Sequence, residues 1–204
     1  KFILGKINKL DKNYEVLVFA RRDIETATIP LFIKYIAPFA FDSCGKLKSI
    51  EFEKGSQLKV IGRNAFAKTD IKKIMIPSHV TQICNSAFHE CQCLEKIEFA
   101  EQSELQVIDK FSFCTSLSLK SISIPSTVID LNKGWCCGTD KLTQFDVDQN
   151  NKFFINFNND FILGKSNSSN ENFDILVFAR RDIKRALIPS NIIIIAPYAF
   201  MNCK

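Results

Sequence analysis

Two stretches carry residue types that do chemistry. His89-Glu90-Cys91-Gln92-Cys93 sets an imidazole, a carboxylate and two thiols within five positions, which are donor types that zinc accepts. Ala20-Arg21-Arg22-Asp23 returns as Ala179-Arg180-Arg181-Asp182, so four guanidiniums stand at two equivalent places and would suit an anionic ligand. Neither stretch is backed by its surroundings. A structural zinc site takes two paired sets of donors, and no second pair accompanies residues 89–93. In each Arg-Arg-Asp the simpler reading is a turn in which the aspartate pairs with a neighbouring arginine. Arg21, Arg22, Arg180 and Arg181 are nevertheless kept as candidate binding residues. His79 and His89 are the only histidines, and no nucleophile elbow, phosphate loop or metalloprotease motif accompanies them. No enzyme, metal or cofactor is expected.

Charge and hydropathy narrow the classes further. The net charge of +5 is spread without a basic block, which argues against nucleic acid. Nowhere is there an apolar run of the ~18 residues that a membrane span needs; Ile192–Ala196 is stopped by Pro197. Lys1-Phe2-Ile3-Leu4-Gly5 has neither the apolar stretch nor the cleavage site of a leader. Phenylalanine is the odd entry, at 19 against 3 Tyr and 1 Trp. A recurring slot that prefers Phe explains the imbalance.

That slot follows from a repeated phrase. IPLFIKYIAPFAFDSC (29–44), IPSHVTQICNSAFHEC (76–91) and IPSNIIIIAPYAFMNC (188–203) align, and IPSTVIDLNKGWCCGT (124–139) and LKVIGRNAFAKT (58–69) are worn copies. Aliphatic residues stand at +3 and +6 from the proline, a small residue at +10, an aromatic at +11 and Cys at +14. Then comes LxxIxF or LxxIxI, as in Leu47-Ile50-Phe52, Leu94-Ile97-Phe99 and Leu119-Ile122-Ile124. The aromatic slots Phe41, Phe66, Phe88 and Phe113, followed by Cys136, lie 25, 22, 25 and 23 residues apart. A period in the twenties with Leu and Ile at fixed offsets is a leucine-rich solenoid signature, whose coils must stack to bury their apolar sides.

Residues two apart share a strand face, so each coil contributes one short strand. Ile50, Ile74, Ile97 and Ile122 are expected side by side in one parallel ladder, with the four Phe slots as a buried column. Cys44, Cys91 and Cys203 occupy one slot and are expected buried and reduced. Cys84, Cys93, Cys114, Cys136 and Cys137 fall outside it, and a disulfide among these five stays open as the lesser alternative.

A longer repeat lies over the first. FILGK at 2–6 returns at 161–165 and LVFARRDI at 17–24 returns at 176–183, both offset by 159. Apolar strands around the polar turn SNSSNEN read as a β-hairpin set into the solenoid. The expected divisions are a hairpin unit over 1–26 that lacks its leading strand, a repeat block of about five coils over 27–147, a second hairpin unit over 148–185, and the start of another block over 186–204. Phe19 and Phe178 are expected in matching environments, as are Arg21 and Arg180. The chain reads as a piece of a longer array.

The pattern LxxIxIPxxVxxIxxxAFxxC resembles the BspA-like leucine-rich repeats of bacterial and protozoan surface antigens, over residues 27–147 and 186–204. It departs where Thr69, Ser116 and Thr139 replace Cys and where Cys136 replaces Phe. The resemblance implies a mainly β, right-handed solenoid with hairpins between repeat blocks. It also implies a non-catalytic, surface-displayed adhesion module that takes protein or glycan partners on host cells, matrix or microbes, with neighbouring repeats of one long chain as further partners. No nucleic acid and no membrane insertion are implied. The candidate binding face consists of side chains pointing out between the Leu and Ile slots: Lys48, Ser49 and Glu51; Lys72, Lys73 and Met75; Glu95, Lys96 and Glu98; Lys120, Ser121 and Ser123. Asn167-Ser168-Ser169 is a glycosylation sequon in the polar turn. The alternative is an intracellular scaffold built from the same repeats.

Overall fold

The computed structural model describes residues 1–203, and no helix occurs among them. Strands β1 (Phe2–Gly5) and β2 (Val16–Ala20) pair antiparallel. Four- and two-residue strands then alternate: β3 (Thr26–Ile29), β4 (Tyr35–Ile36), β5 (Ser49–Phe52), β6 (Val60–Ile61), β7 (Lys73–Ile76), β8 (Gln82–Ile83), β9 (Lys96–Phe99), β10 (Val107–Ile108), β11 (Ser121–Ile124), β12 (Asp130–Leu131) and β13 (Gln144–Val147). Three antiparallel strands follow, β14 (Phe154–Phe157), β15 (Phe161–Gly164) and β16 (Ile175–Ala179), and then β17 (Ile194–Ile195). The fold is a leucine-rich-repeat β-solenoid, and its core lies between the wall of long strands and the wall of short ones.

Each coil turns at its Phe slot. Two residues before and two after that slot the backbone is left-handed: Phe39 and Ser43, Asn64 and Lys68, Ser86 and Glu90, Phe111 and Thr115, Gly134 and Gly138, Tyr198 and Asn202. A non-glycine residue there costs roughly 1–2 kcal/mol, so the corner must be held from outside. Coil-to-coil bonds hold it. The Phe41 N–H donates to Ala65 O at 2.7 Å, Phe66 to Ala87 O at 2.8 Å, Phe88 to Ser112 O at 2.8 Å and Phe113 to Trp135 O at 2.7 Å. The four rings are fully buried and stack with centroids 4.9, 5.3 and 5.5 Å apart. Cys136 takes the next slot, and Trp135, one position earlier, closes the column edge-on to Phe113 at 6.3 Å.

The Cys slot is a hydrogen-bonding slot. Cys91 Sγ donates to Phe66 O at 3.1 Å, Ser116 Oγ to Phe88 O at 2.8 Å, and the Thr69 and Thr139 hydroxyls to Phe66 O and Cys136 O at 2.9 and 2.7 Å. A small side chain with one donor satisfies the site, which is why Ser and Thr replace Cys without loss. Burial pushes the Cys91 thiol up to about 11. Two cysteine expectations need correction. Cys203 is only half-buried, because no later coil covers it among the described residues. Cys114 and Cys137 form a disulfide with Cα atoms 4.6 Å apart. Each follows a Phe slot directly, so stacking adjacent coils brings them together.

The two walls differ. Strands β4, β6, β8, β10 and β12 form one unbroken parallel ladder, headed by β2 and β1. The long-strand wall breaks between β5 and β7, into the pair β3–β5 and the sheet β7–β9–β11–β13, so the expected single ladder of Ile50, Ile74, Ile97 and Ile122 is not formed. Ile50 pairs with Ala27, Ile74 with Ile97, and Ile122 with Phe145. Between β5 and β7 no ladder forms, and between β9 and β11 only Ser121 and Lys96 pair. The cause is an alternation of coil lengths. Strands β3, β7 and β11 end in Ile-Pro, whereas β5 and β9 end in Phe and run into the longer loops 53–57 and 100–104. A short coil cannot follow the path of the long coil before it. The coil of Phe66 is also one residue shorter at its turn, Thr69-Asp70-Ile71 against Cys44-Gly45-Lys46-Leu47.

The turn between β14 and β15 has Asn158 and Asn159 left-handed (φ 54° and 57°), with the Asp160 N–H donating to Phe157 O at 3.1 Å. This is the type I′ turn that suits a hairpin's twist. Strand β16 pairs in parallel with β17 as β2 does with β4, so each hairpin's last strand starts the next short-strand ladder. The backbones match down to the register shifts, at Ile3/Leu4 and Ile162/Leu163. The side-chain environments do not match. Phe178 is 1% exposed against Trp135 and Phe145, whereas Phe19 is 37% exposed because no coil precedes it in the described residues.

Candidate functional site

Strand alternation points Ser49, Glu51, Lys73, Met75, Lys96, Glu98, Ser121 and Ser123 out of the long-strand wall, while the Ile between them points in. In register, Met75 lies opposite Glu98 and Lys73 opposite Lys96. Lys48, Lys72, Glu95 and Lys120 form a neighbouring column on the turns, where Lys120 Nζ meets Glu95 at 2.7 Å and Lys48 meets Glu25 at 3.9 Å. The bond from Lys120 holds the Glu95 carboxyl below its ordinary range, and that from Lys96 does the same for Glu98. The twelve predicted positions thus share one face.

The face is corrugated, which the residue pattern alone did not show. Loops 53–57 and 100–104 stand up as ridges, and the Ile-Pro coils lie low beside them. One valley of about 430 Å³ runs over Pro77, Ser78 and His79, floored by Ile50 and Phe52. A second, of about 770 Å³, runs over Pro125, Ser126 and Thr127 between the 100–104 ridge and Asp146 and Asp148. The first opens where β5 and β7 are unpaired, and the second where β9 and β11 are joined by a single pair. Their walls are acidic. Glu51 and Glu53 line the first, and Glu98, Glu101, Glu104, Asp146 and Asp148 line the second, where Lys96 is the only lysine among the described residues. Several of these groups are already engaged: Lys96 pairs with Glu98, His79 Nδ1 meets Glu104 at 2.9 Å, and the Leu31 N–H donates to Glu53 at 3.0 Å. The loop residues Glu53, Glu101 and Glu104, which line the valleys, are not among the predicted positions. Their signal was the 25-against-22 spacing of the Phe slots.

The arginines lie elsewhere. Arg21 pairs with Asp23 at 2.7 Å, and Arg180 with Asp182 at 2.7 Å and Asp160 at 3.4 Å. Arg22 and Arg181 each donate to a corner carbonyl of the next coil, Ala40 O at 3.0 Å and Ala199 O at 2.8 Å, while covering Phe19 and Phe178. Arg181 is 1% exposed and also reaches Cys136 O at 3.4 Å, which clasps the hairpin between the two repeat blocks. A guanidinium buried and bonded in this way has no face left for a ligand from solution. His89 Nε2 meets Glu90 at 2.9 Å, and among the described residues no three His, Cys, Asp or Glu side chains converge on a metal position.

Comparison with known proteins decides the family. The model of the BspA type leucine rich repeat region matches residues 13–143 and 103–204, in six copies. The chain belongs to the BspA-type leucine-rich repeat family. Among solved structures this BspA-type chain is similar to the pneumococcal vaccine antigen PcpA, with 26% identity and a TM-score of 0.78 over 93% of this chain and 44% of that one. It also resembles a leucine-rich cell surface protein of Faecalibacterium prausnitzii (17% identity, TM-score 0.65, 98% of this chain and 65% of that one) and the leucine-rich repeat protein of T. pallidum (20%, 0.57, 71% and 78%). The BspA-type chain therefore spans less than half of the pneumococcal antigen. No curated protein matches its sequence.

Proposed function

We propose that this repeat chain is a non-catalytic binding module of a surface-displayed protein, which offers its long-strand face to protein or glycan partners on cells or matrix. The observation that carries the reading is the corrugated face itself. It is solvated, of mixed charge and spread over four coils, and a rigid phenylalanine column backs it. Repeat solenoids work by presenting such extended surfaces. Kinship with a vaccine antigen and a cell surface protein supports display outside the cell. The Cys114–Cys137 disulfide favours an oxidising compartment over an intracellular scaffold. The exposed Asn167, whose Oδ1 accepts from Ser169, leaves the sequon open to modification.

The test is adhesion of the purified chain to intact cells and matrix-coated surfaces. Met75→Glu with Ser123→Lys on the face is compared with Ile129→Lys outside the valleys. Loss of ~10-fold or more for the face variant alone is expected, in the range of an interface hot spot. Equal binding by both variants, or no adhesion by the parent chain, refutes the reading.

A further inference from the structure

The two valleys lie over like coils, and their spacing is set by the fold. Each lies over an Ile-Pro coil that follows a long coil, and the coils Pro77 and Pro125 are two steps apart. Along the unbroken short-strand ladder neighbouring strands are ~4.8 Å apart, and β8 and β12 of these two coils are two steps apart, so the coils beneath the valleys are about 10 Å apart along the axis. A polypeptide in extended form advances ~3.1–3.3 Å per residue, so three of its residues span the same ~10 Å. In the polyproline-II form three residues also complete one turn, which brings every third side chain to the same side of the partner.

The charge of the valleys selects what those side chains are. The whole chain carries +5, yet the two valleys hold seven carboxylates and one lysine along their linings. The exposed lining carboxylates outside any ion pair among the described residues are Glu51 and Glu53 in the first valley and Glu101, Asp146 and Asp148 in the second, and of these Glu51 and Glu101 also accept no backbone N–H. The floors are apolar, Phe52 with Pro77 and Phe99 with Pro125, and would take the methylene stem of a long cationic side chain while a carboxylate receives its head. The conditions for a bound divalent cation are not met, since no three acidic groups converge among the described residues.

Building on the binding-module reading above, we infer that this face takes an extended, cationic protein segment lying along the solenoid axis, with lysine or arginine at every third residue so that successive heads enter successive valleys. Polyanions such as sulfated polysaccharides are disfavoured in the valleys.

The experiment uses the whole chain and two labelled synthetic peptides of identical composition. One repeats Lys-Pro-Pro four times, and the other carries four lysines in a block followed by eight prolines. Fluorescence anisotropy is expected to show the spaced peptide binding at least ~10-fold more tightly, since two engaged valleys act as linked sites. The Glu51→Gln, Glu101→Gln double variant, with an unchanged unfolding temperature, is expected to lose most of that difference. Equal affinity for the two peptides, absence of binding, indifference to the double variant, or stronger binding of a sulfated polysaccharide overturns the inference. Retained adhesion to cells in any of these cases leaves the binding-module reading standing and shows that only the partner chemistry is wrong.

Discussion

Replacing Phe88 by Ala tests the column on which every coil depends. The ring is fully buried between Phe66 and Phe113, at 5.3 and 5.5 Å. Returning it to water on unfolding no longer contributes the ~1.5–3 kcal/mol of a buried large side chain. The void left behind, on the order of 100 Å³ at ~24 cal/mol per Å³, adds about 2.4 kcal/mol. The neighbours cannot close it, because the Phe66 and Phe88 amides are tied to the following coil by 2.8 Å bonds. A loss of about 4–5 kcal/mol is therefore expected in a denaturant titration followed by circular dichroism, with a slope near that of the parent protein. Phe178→Ala and Phe19→Ala form an internal control. They are equivalent in sequence, but their exposures are 1% and 37%, so the first should cost about 3 kcal/mol and the second no more than ~1. A loss below ~1 kcal/mol for Phe88→Ala, or equal losses for the two control residues, would refute the account of the core.

The disulfide closes a 23-residue separation, and chain entropy then gives it about 3 kcal/mol. Cys114→Ser should lower stability by that amount, and non-reducing peptide mapping should find residues 114 and 137 linked. Gly62 lies where a Cβ would meet Ile36 O at 2.5 Å and Pro38 N at 2.8 Å, so Gly62→Ala should unseat two coils and cost more than ~2 kcal/mol by thermal unfolding. Asp174 accepts from Ser166 N at 2.7 Å, Ser166 Oγ at 2.6 Å and Asn170 at 2.9 Å; its equivalent, Glu15, is taken instead by Lys34 at 2.9 Å. A non-specific protease should hence cut residues 7–13 sooner than 166–172. Hydrogen bonds from Ser166 lower the pKa of Asp174, so the protection should be full above the ordinary aspartate range and be lost as pH falls below that range through the lowered folded-state pKa. Equal cleavage of the two loops, or protection that does not change in acid, would count against this.

How much could be read from residues alone depended on whether a feature repeats. Phe41, Phe66, Phe88 and Phe113 were legible as a column because each coil must fill the same layer. The outward positions were legible because strand alternation leaves them no other direction. The disulfide was not, because Cys114 and Cys137 stand in the corner position after the Phe slot, where no other coil has Cys. The valleys were written in the 25, 22, 25 and 23 spacing, but their depth comes from how a long coil displaces its short neighbour, which is a tertiary effect. The Arg-Arg-Asp runs were legible as turns in which aspartate pairs with an arginine, but their difference in burial was not, because only Arg181 has a coil on both sides.

The alternation of long and short coils also bears on how such a chain can change its length. From Ala27 to Ile74 is 47 residues and from Ile74 to Ile122 is 48, so the wall returns to the same state only after two coils. Losing one coil would set two long coils or two short ones side by side, with ridge against ridge or a doubled gap. Losing a couple would keep each long coil beside a short one, so the pair of coils is the unit whose loss this alternation tolerates.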